Sequence, residues 1–369
     1  MSKALETVLE IDLRALAHNY RFLRSKLNPG TKFLAVVKAF AYGSDMVTVA
    51  QQLERLKVDY FAVAYVQEGV LLRKAGIKTP ILVLHPQPLN FEKLIAHCLE
   101  PSLYSPRILS KFMEVAAKTG QKNYPVHIKF NTGLNRLGFW ENDIDYIQKV
   151  LETKNELRIV SIFSHLAASE DHNEKEFTCK QIETFQKIAK EFDKKISHSP
   201  FKHLLNTSGL LNYPQAQFDM VRCGIGLYGF GNDVKIDRKL RPIATLKTVI
   251  SQIHKIEPGE TVGYNRAFTS EGYRVTATLP LGHADGIGRH FGNGKAYVMV
   301  NRQKAPIIGN VCMDMVMIDI TKVDCKEGDE VIIFGASPNA EQFAQTANTI
   351  SYELLTAISQ RVRRLILED

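Results

Sequence analysis

Eight short apolar runs, each flanked by polar, helix-patterned stretches, constrain this chain more than any other feature. They are FLAVVK (33–38), YFAVAY (60–65), PILVLH (80–85), LEPSLYS (99–105), VHIKF (126–130), IVSIFSHL (159–166), FKHLLN (201–206) and FDMVRCG (218–224). Continuous apolar runs of this length suit strands covered on both faces, as in a parallel sheet. The intervening stretches repeat apolar residues at intervals of three and four. Leu13, Leu16, Tyr20, Leu23 and Leu27 form one such stripe, and Ile182, Phe185, Ile188 and Phe192 another. Eight alternating units fit a closed (β/α)₈ barrel better than an open sheet. Beyond about residue 240 the texture changes. VTATLPLG (275–282) alternates at period two, and VMVNRQ (298–303), VMIDITKV (316–323) and DEVIIFG (329–335) are short β-branched runs. The pattern predicts an α/β chain. A TIM-type barrel covers residues 1–238, and a mostly β C-terminal domain covers 239–369. DVKIDRKLRP (233–242) is the join, and a helical segment near 341–361 closes the second domain.

Composition removes several classes of function. The five cysteines (Cys98, Cys179, Cys223, Cys312, Cys325) are scattered without a CxxC pair, so neither a disulfide framework nor a metal site is expected. The net charge of +8 comes from lysines interleaved with acids, as in NEKEF and KEFDKK. RVRR (361–364) is the one dense basic run and has no aromatic partners, which argues against nucleic-acid binding. No stretch approaches the roughly 18–20 apolar residues of a membrane span. The N-terminal MSKALETVLEIDLRAL lacks the apolar core of a signal peptide, so a cytoplasmic protein is expected.

Catalytic groups in such a barrel gather at the C-terminal ends of its strands. The polar residues that interrupt the apolar runs share that phase: Lys38, Lys129, Arg136, His165, Asn206, Thr207 and Arg222. Lys38, at the end of the first run, is poorly placed for solvent. Desolvation would lower its pKa and favour the neutral amine that a Schiff base needs, but a snorkelling strand-end lysine fits the local pattern as well. The string GIGLYG (224–229) spells GxGxxG. It belongs to the eighth unit with no further βαβ pattern after it, which excludes a dinucleotide fingerprint.

AVVKAFAYG (35–43) resembles the cofactor-attachment segment of the alanine racemase family, and further blocks follow in order. They are VHIKFNTGLNRLG (126–138), SIFSHLA (161–167), FDMVRCGIGLYG (218–229), TVGYNRAF (261–268), LGHADGIGR (281–289), GNVCMDM (309–315) and SYELLTAISQRVRR (351–364). The resemblance implies an isomerase that interconverts L- and D-alanine with pyridoxal 5′-phosphate, supplying D-alanine for bacterial peptidoglycan. It implies that Lys38 carries the cofactor and that Lys38 and Tyr264 are the two bases, Lys38 serving the D-isomer and Tyr264 the L-isomer. Arg222 then faces the pyridine nitrogen, donating to it rather than protonating it. His165 stacks on the ring, and Asn206, Thr207, Gly224, Ile225, Tyr42 and Tyr352 surround the phosphate side. Arg136, Met313 and Asp314 would hold the substrate. Lys129 is the position that some family members carbamylate, turning a cation into an anion beside Arg136. The resemblance also implies a homodimer with shared sites, Tyr264 and the Cys312–Asp314 segment reaching the partner's cavity.

The chain departs from the family pattern at Phe40, Ser44, Asp45, Asn131, Asn135, His283 and Asn310, while Lys38, Tyr264 and Arg222 keep it. Two other readings stay open at this level. One is a racemase of broader specificity, acting on serine, lysine or arginine, since a hydrophobic contact discriminates only modestly. The other is a non-catalytic pyridoxal-phosphate-binding protein, a role that would not need the β domain. A decarboxylase on the same architecture fits poorly, because it would place a carboxylate where Arg222 stands.

Overall fold

A computed structural model describes residues 6–152, 155–196 and 198–368. Strand β1 (Val8–Asp12) precedes eight strands that close into a barrel: β2 (Lys32–Val36), β3 (Tyr60–Val63), β4 (Ile81–Val83), β5 (Glu100–Leu103), β6 (Tyr124–Lys129), β7 (Leu157–Phe163), β8 (Phe201–His203) and β9 (Met220–Cys223). Every pairing is parallel, and β9 returns to β2 with Lys32 opposite Met220. Each expected apolar run overlaps one of these strands. Parallel neighbours need crossover segments, and helices supply them. The helix Pro106–Lys118 shows why such a stretch folds as it does. The Ser105 side chain accepts from Ile108 N–H, Pro106 occupies the first turn, and Ile108, Leu109, Phe112, Met113 and Ala116 form the buried stripe.

The remaining strands are β10 (Ala244–Val249), β11 (Gln252–Ile256), β12 (Thr261–Val262), β13 (Phe268–Thr269), β14 (Arg274–Leu279), β15 (Tyr297–Val300), β16 (Gln303–Ile308), β17 (Val316–Asp319), β18 (Glu330–Phe334) and β19 (Arg363–Leu367). All but the β12–β13 pair join one sheet, ordered β11-β14-β17-β16-β15-β18-β10-β1-β19. Strand β1 therefore lies in this sheet, antiparallel to β10 and parallel to β19, although the sequence pattern assigned residues 1–238 to the barrel. Nothing local in VLEID announces partners so far along the chain. The buried Lys247–Glu10 pair, at 3.0 Å, ties β1 to β10 from within.

The end of the chain also differs from expectation. Two short helices, Ala340–Gln345 and Ser351–Ala357, stand where one helical segment was expected, and RVRR leads into β19. Arg364 ends the helical path by donating to the carbonyls of Ile358, Ser359 and Val362. Its remaining donors reach the carbonyls of Gly43 and Ser44 in the barrel domain. Among the described residues no helix is long and apolar enough to cross a membrane.

Candidate active site

A cavity of about 560 Å³ lies at the C-terminal ends of the barrel strands. Lys38, Tyr42, Lys129, Arg136, His165, Asn206, Thr207, Arg222, Gly224, Ile225 and Tyr352 all line it, so eleven of the expected positions meet in one place. Four of them are cationic, and no carboxylate lines the cavity among the described residues.

Lys38 opens a turn that few sequences adopt. Ala39, Phe40, Ala41 and Tyr42 all have φ between 53° and 55°, a left-handed turn closed by Gly43 at 78°. For L-residues this conformation costs about 1–2 kcal/mol each, so the surroundings must hold it. Within the turn, Ala41 N–H donates to Val37 O and Gly43 N–H to Ala39 O. From outside, Glu68 accepts Ala39 N–H at 2.6 Å while also binding the N–H groups of Ala64 and Tyr65. Arg364 grips the other end through Gly43 and Ser44. Gly43 has no alternative, because a Cβ there would overlap the Leu355 carbonyl. Burial lowers the Lys38 ammonium pKa, the Arg136 charge lowers it further, and Glu68 opposes the shift. The net effect raises the fraction of neutral amine.

Arg222 is buried and saturated with acceptors on one side. Its Nη2 donates to the carbonyls of Ser164 (2.6 Å) and Leu204 (2.8 Å), and lies 3.2 Å from His165 Nδ1. Nη1 lies 2.7 Å from His203 Nδ1. Burial pushes the guanidinium down to about 9, still above neutrality, so it remains a cation and a donor. Since a guanidinium cannot accept, both histidines must offer an unprotonated Nδ1. The same conclusion follows from charge: burial first, then Arg222, lowers the pKa of His165 and of His203 well below the ordinary histidine value. The Phe163 ring stacks on His203 at 4.8 Å and lies beneath Arg222 at 5.3 Å.

Lys129, at the end of β6, is buried to 7% exposure, and among the described residues no carboxylate pairs with it. Burial, then the charges of Arg136, Arg222 and Lys38, bring it down to about 8. The neighbouring loop satisfies itself. Asn131 Oδ1 accepts the N–H groups of Gly133 and Asn135, and Asn131 Nδ2 donates to Asn135 Oδ1 at 2.8 Å. The two departures from the family pattern at 131 and 135 thus bond to each other, and among the described residues neither brings an anion to Lys129 or Arg136.

The opposite wall is a nest of small donors. The Thr207 hydroxyl accepts from Gly224 and Gly226 N–H (3.2 and 3.3 Å), and Asn206 caps the following turn by accepting Gly209 N–H at 2.8 Å. Asn232 donates to Ser208 Oγ and to Tyr352 Oη. Burial raises the Tyr42 phenol and pushes Tyr352 up to about 12, so both keep a donor proton at any working pH. A Cβ on Gly224 would overlap the Tyr42 hydroxyl, so that cradle exists only for glycine. An elongated ligand with a phosphate at one end, an aldehyde for Lys38 and an acceptor nitrogen for Arg222 fits this donor set. Pyridoxal 5′-phosphate has all three.

Tyr264, Met313 and Asp314 are not in this cavity. They line a separate shallow depression on the second domain with Gly263, Cys312, Met315 and Met317. Tyr264 is 73% exposed, and Met313 and Met315 are more than half exposed. The segment is nonetheless held in place. Asn310 Nδ2 donates to the Tyr264 carbonyl at 3.1 Å, and Arg361 bridges Asp314 (2.7 Å) and both oxygens of Asp285. Sequence reasoning missed Glu68, Phe163 and His203. His203 sits in an apolar run, FKHLLN, where a polar residue inside a buried strand was the available signal.

Fold and site together define a barrel protein with a lysine-bearing cationic cavity, joined to a second domain built on an extended sheet. Residues 11–231 match the profile of the alanine racemase N-terminal domain, and residues 243–366 match that of the C-terminal domain. An alanine racemase of Clostridium acetobutylicum is 37% identical, over 98% of this chain and 95% of its own. A solved alanine racemase of Clostridium difficile 630 superposes with a TM-score of 0.92 at 34% identity, covering 100% of this chain and 97% of that one. The alanine racemase of Bartonella henselae, solved with covalently bound pyridoxal phosphate, superposes with a TM-score of 0.89 at 28% identity, covering 99% and 100%. This chain belongs to the alanine racemase family.

Proposed function

We propose that this chain interconverts L- and D-alanine, with pyridoxal 5′-phosphate held on Lys38. The observation that carries the reading is the convergence of Lys38, Arg222, His165 and the Thr207–Gly224 cradle on one cavity with four cations and no lining carboxylate. When bound, the cofactor supplies an electron sink that acidifies the Cα–H of the amino acid. The protein's own groups do the rest. Tyr42, Tyr352 and the Ile225 N–H would bind the phosphate, over the cradle that Thr207 and Gly224 form. Arg222 would donate toward the ring nitrogen without giving up a proton, which would keep the sink weak and favour return of the proton to Cα. Arg136 takes the substrate carboxylate. Lys38 Nζ removes or returns the α-proton of the D-isomer.

Racemisation needs a second acid–base group on the opposite face. Tyr264 Oη fills that role if it comes from another copy of the chain, because its own depression lies apart from its own cavity. The exposed Tyr264, Met313 and Met315 side chains are what a homodimer with two shared sites would cover. The physiological reading is supply of D-alanine for peptidoglycan in the cytoplasm. Lys129 is the group poised to form a carbamate, since Arg136 and Arg222 want an anion there.

The test is formation of D-alanine from L-alanine by purified protein with pyridoxal phosphate, read by chiral separation. An equal mixture is the expected end point. A cofactor-loaded protein that leaves L-alanine unchanged but racemises lysine, arginine or serine would move the substrate assignment, and one inert to all four would end the enzymatic reading.

A further inference from the structure

A polar seam crosses the barrel interior from the N-terminal end of β5 to the cavity. Glu100 Oε2 lies 2.7 Å from His127 Nε2, and His127 Nδ1 lies 2.6 Å from Ser161 Oγ. Ser161 Oγ lies 2.7 Å from His203 Nε2, and His203 Nδ1 lies 2.7 Å from Arg222 Nη1. His127, Ser161 and His203 are fully buried, and Glu100 and Arg222 nearly so. Barrel interiors are ordinarily filled by layers of branched apolar side chains. A buried chain of polar groups is tolerated only when every member is satisfied.

The donors in this chain can be placed one by one. Arg222 can only donate, so His203 Nδ1 accepts and His203 carries its proton on Nε2. That proton goes to Ser161 Oγ, whose own hydrogen then goes to His127 Nδ1. His127 therefore carries its proton on Nε2 and donates it to the Glu100 carboxylate. All four bonds run in one sense, from a group that cannot accept to a group that cannot donate. Tyr60, the first residue of β3, closes the far end with a second hydrogen bond to Glu100; burial, then the Glu100 charge, raises its phenol pKa, so it too is a donor.

We infer that Glu100 is a positioning residue for the reaction: through His127, Ser161 and His203 it anchors the Arg222 guanidinium, the donor assigned to the cofactor ring nitrogen. Arg222 still dictates the two imidazole tautomers when the carboxylate is replaced by an amide, but without the negative charge each acceptor along the seam is polarised less, and His203 Nδ1 holds Arg222 less firmly. The inference rests on the role given to Arg222 above.

The test is a double-mutant cycle read by ¹⁵N NMR of histidine-labelled, cofactor-free protein, in which the ring nitrogen shifts report each tautomer. Glu100→Gln keeps the shape and removes the charge; Ser161→Ala cuts the seam between the histidines. Glu100→Gln should shift the His203 Nδ1 signal without a change of tautomer, and should leave it unmoved in the Ser161→Ala background. In the loaded enzyme, Glu100→Gln should lower kcat about five- to tenfold with KM changed less than about twofold. An equal effect of Glu100→Gln in both backgrounds, or none in the first, overturns the inference. Should Glu100→Gln fail to fold, Tyr60→Phe perturbs the same carboxylate from its other side and carries the same cycle. Absence of racemase activity in the unmutated protein would instead count against the function proposed above, which the NMR cycle does not depend on.

Discussion

Lys129 carries a burial cost that can be measured directly. It is buried beside Arg136, Arg222 and Lys38, and its ammonium is brought from 10.5 down to about 8. A fall of that size corresponds to about 3 kcal/mol of penalty on the charged form. The sign follows from proton counting. Below pH 8 both folded and unfolded chains hold the proton, and the folded state bears the full penalty. Between about pH 8 and 10.5 the folded state has released its proton while the unfolded state keeps it, so stability rises with pH across that window. Lys129→Met keeps the apolar stem and removes the charge. In cofactor-stripped protein at fixed concentration, the variant should be more stable than the unmutated chain by about 2–3 kcal/mol at pH 7. The difference should shrink above pH 8 and vanish near 10.5. Denaturant midpoints at pH 7, 9 and 10.5 provide the assay. A variant no more stable at pH 7, or an advantage that does not change with pH, would refute the argument. The lowered pKa also raises the neutral amine at pH 7 about 300-fold over an ordinary lysine. Neutral Nζ adds to carbon dioxide, forming an N–C bond and releasing a proton, so bicarbonate should stabilise the unmutated chain and leave Lys129→Met unaffected.

Four further outcomes follow from the site. Lys38→Ala should lose the visible absorbance of lysine-bound cofactor and about a thousandfold or more of the racemase activity, as measured by spectrum and chiral assay. Tyr264→Phe should keep the absorbance while slowing conversion of L-alanine about 10²–10⁴-fold. Mixing these two variants under conditions of subunit exchange should restore about a quarter of full activity, since half of the dimers would be mixed and each would hold one intact site; no recovery despite proven exchange would place both bases on one chain. Gly224→Ala puts a methyl group onto the Tyr42 hydroxyl. It should weaken cofactor binding at least about tenfold by equilibrium titration, with about 1–3 kcal/mol lost to overpacking.

Much of this was legible because the relevant signals are local. Eight apolar runs separated by amphipathic stretches determine a parallel barrel, and the barrel determines that polar residues ending those runs share a rim. Lys38, Lys129, His165 and Arg222 therefore group together on the sequence alone. What stayed hidden depended on distant partners or on exclusion. Strand β1 finds its place only through β10 and β19. The left-handed turn after Lys38 has alanine, phenylalanine and tyrosine where a sequence reader expects glycine, and it is held by Glu68 and Arg364 from elsewhere. His203 and Glu100 sit in runs that read as core, and only their hydrogen bonds separate them from ordinary buried side chains.

The placement of β1 has a consequence for synthesis on the ribosome. It emerges early, yet its register partners are Lys247 on one side and Arg363 on the other. At about 5–20 residues per second, β1 waits on the order of ten to fifty seconds for β10 and longer for β19. The barrel strands are contiguous in the chain and can close during that wait. A nascent chain near residue 240 can thus already seat Arg222 in the barrel, while the turn after Lys38 still lacks Arg364 and Val8, Leu9 and Ile11 remain uncovered. An unpaired strand in that state can pair with another nascent chain. The vulnerable period in the making of this protein therefore falls after the barrel has formed and before its last strand has been translated.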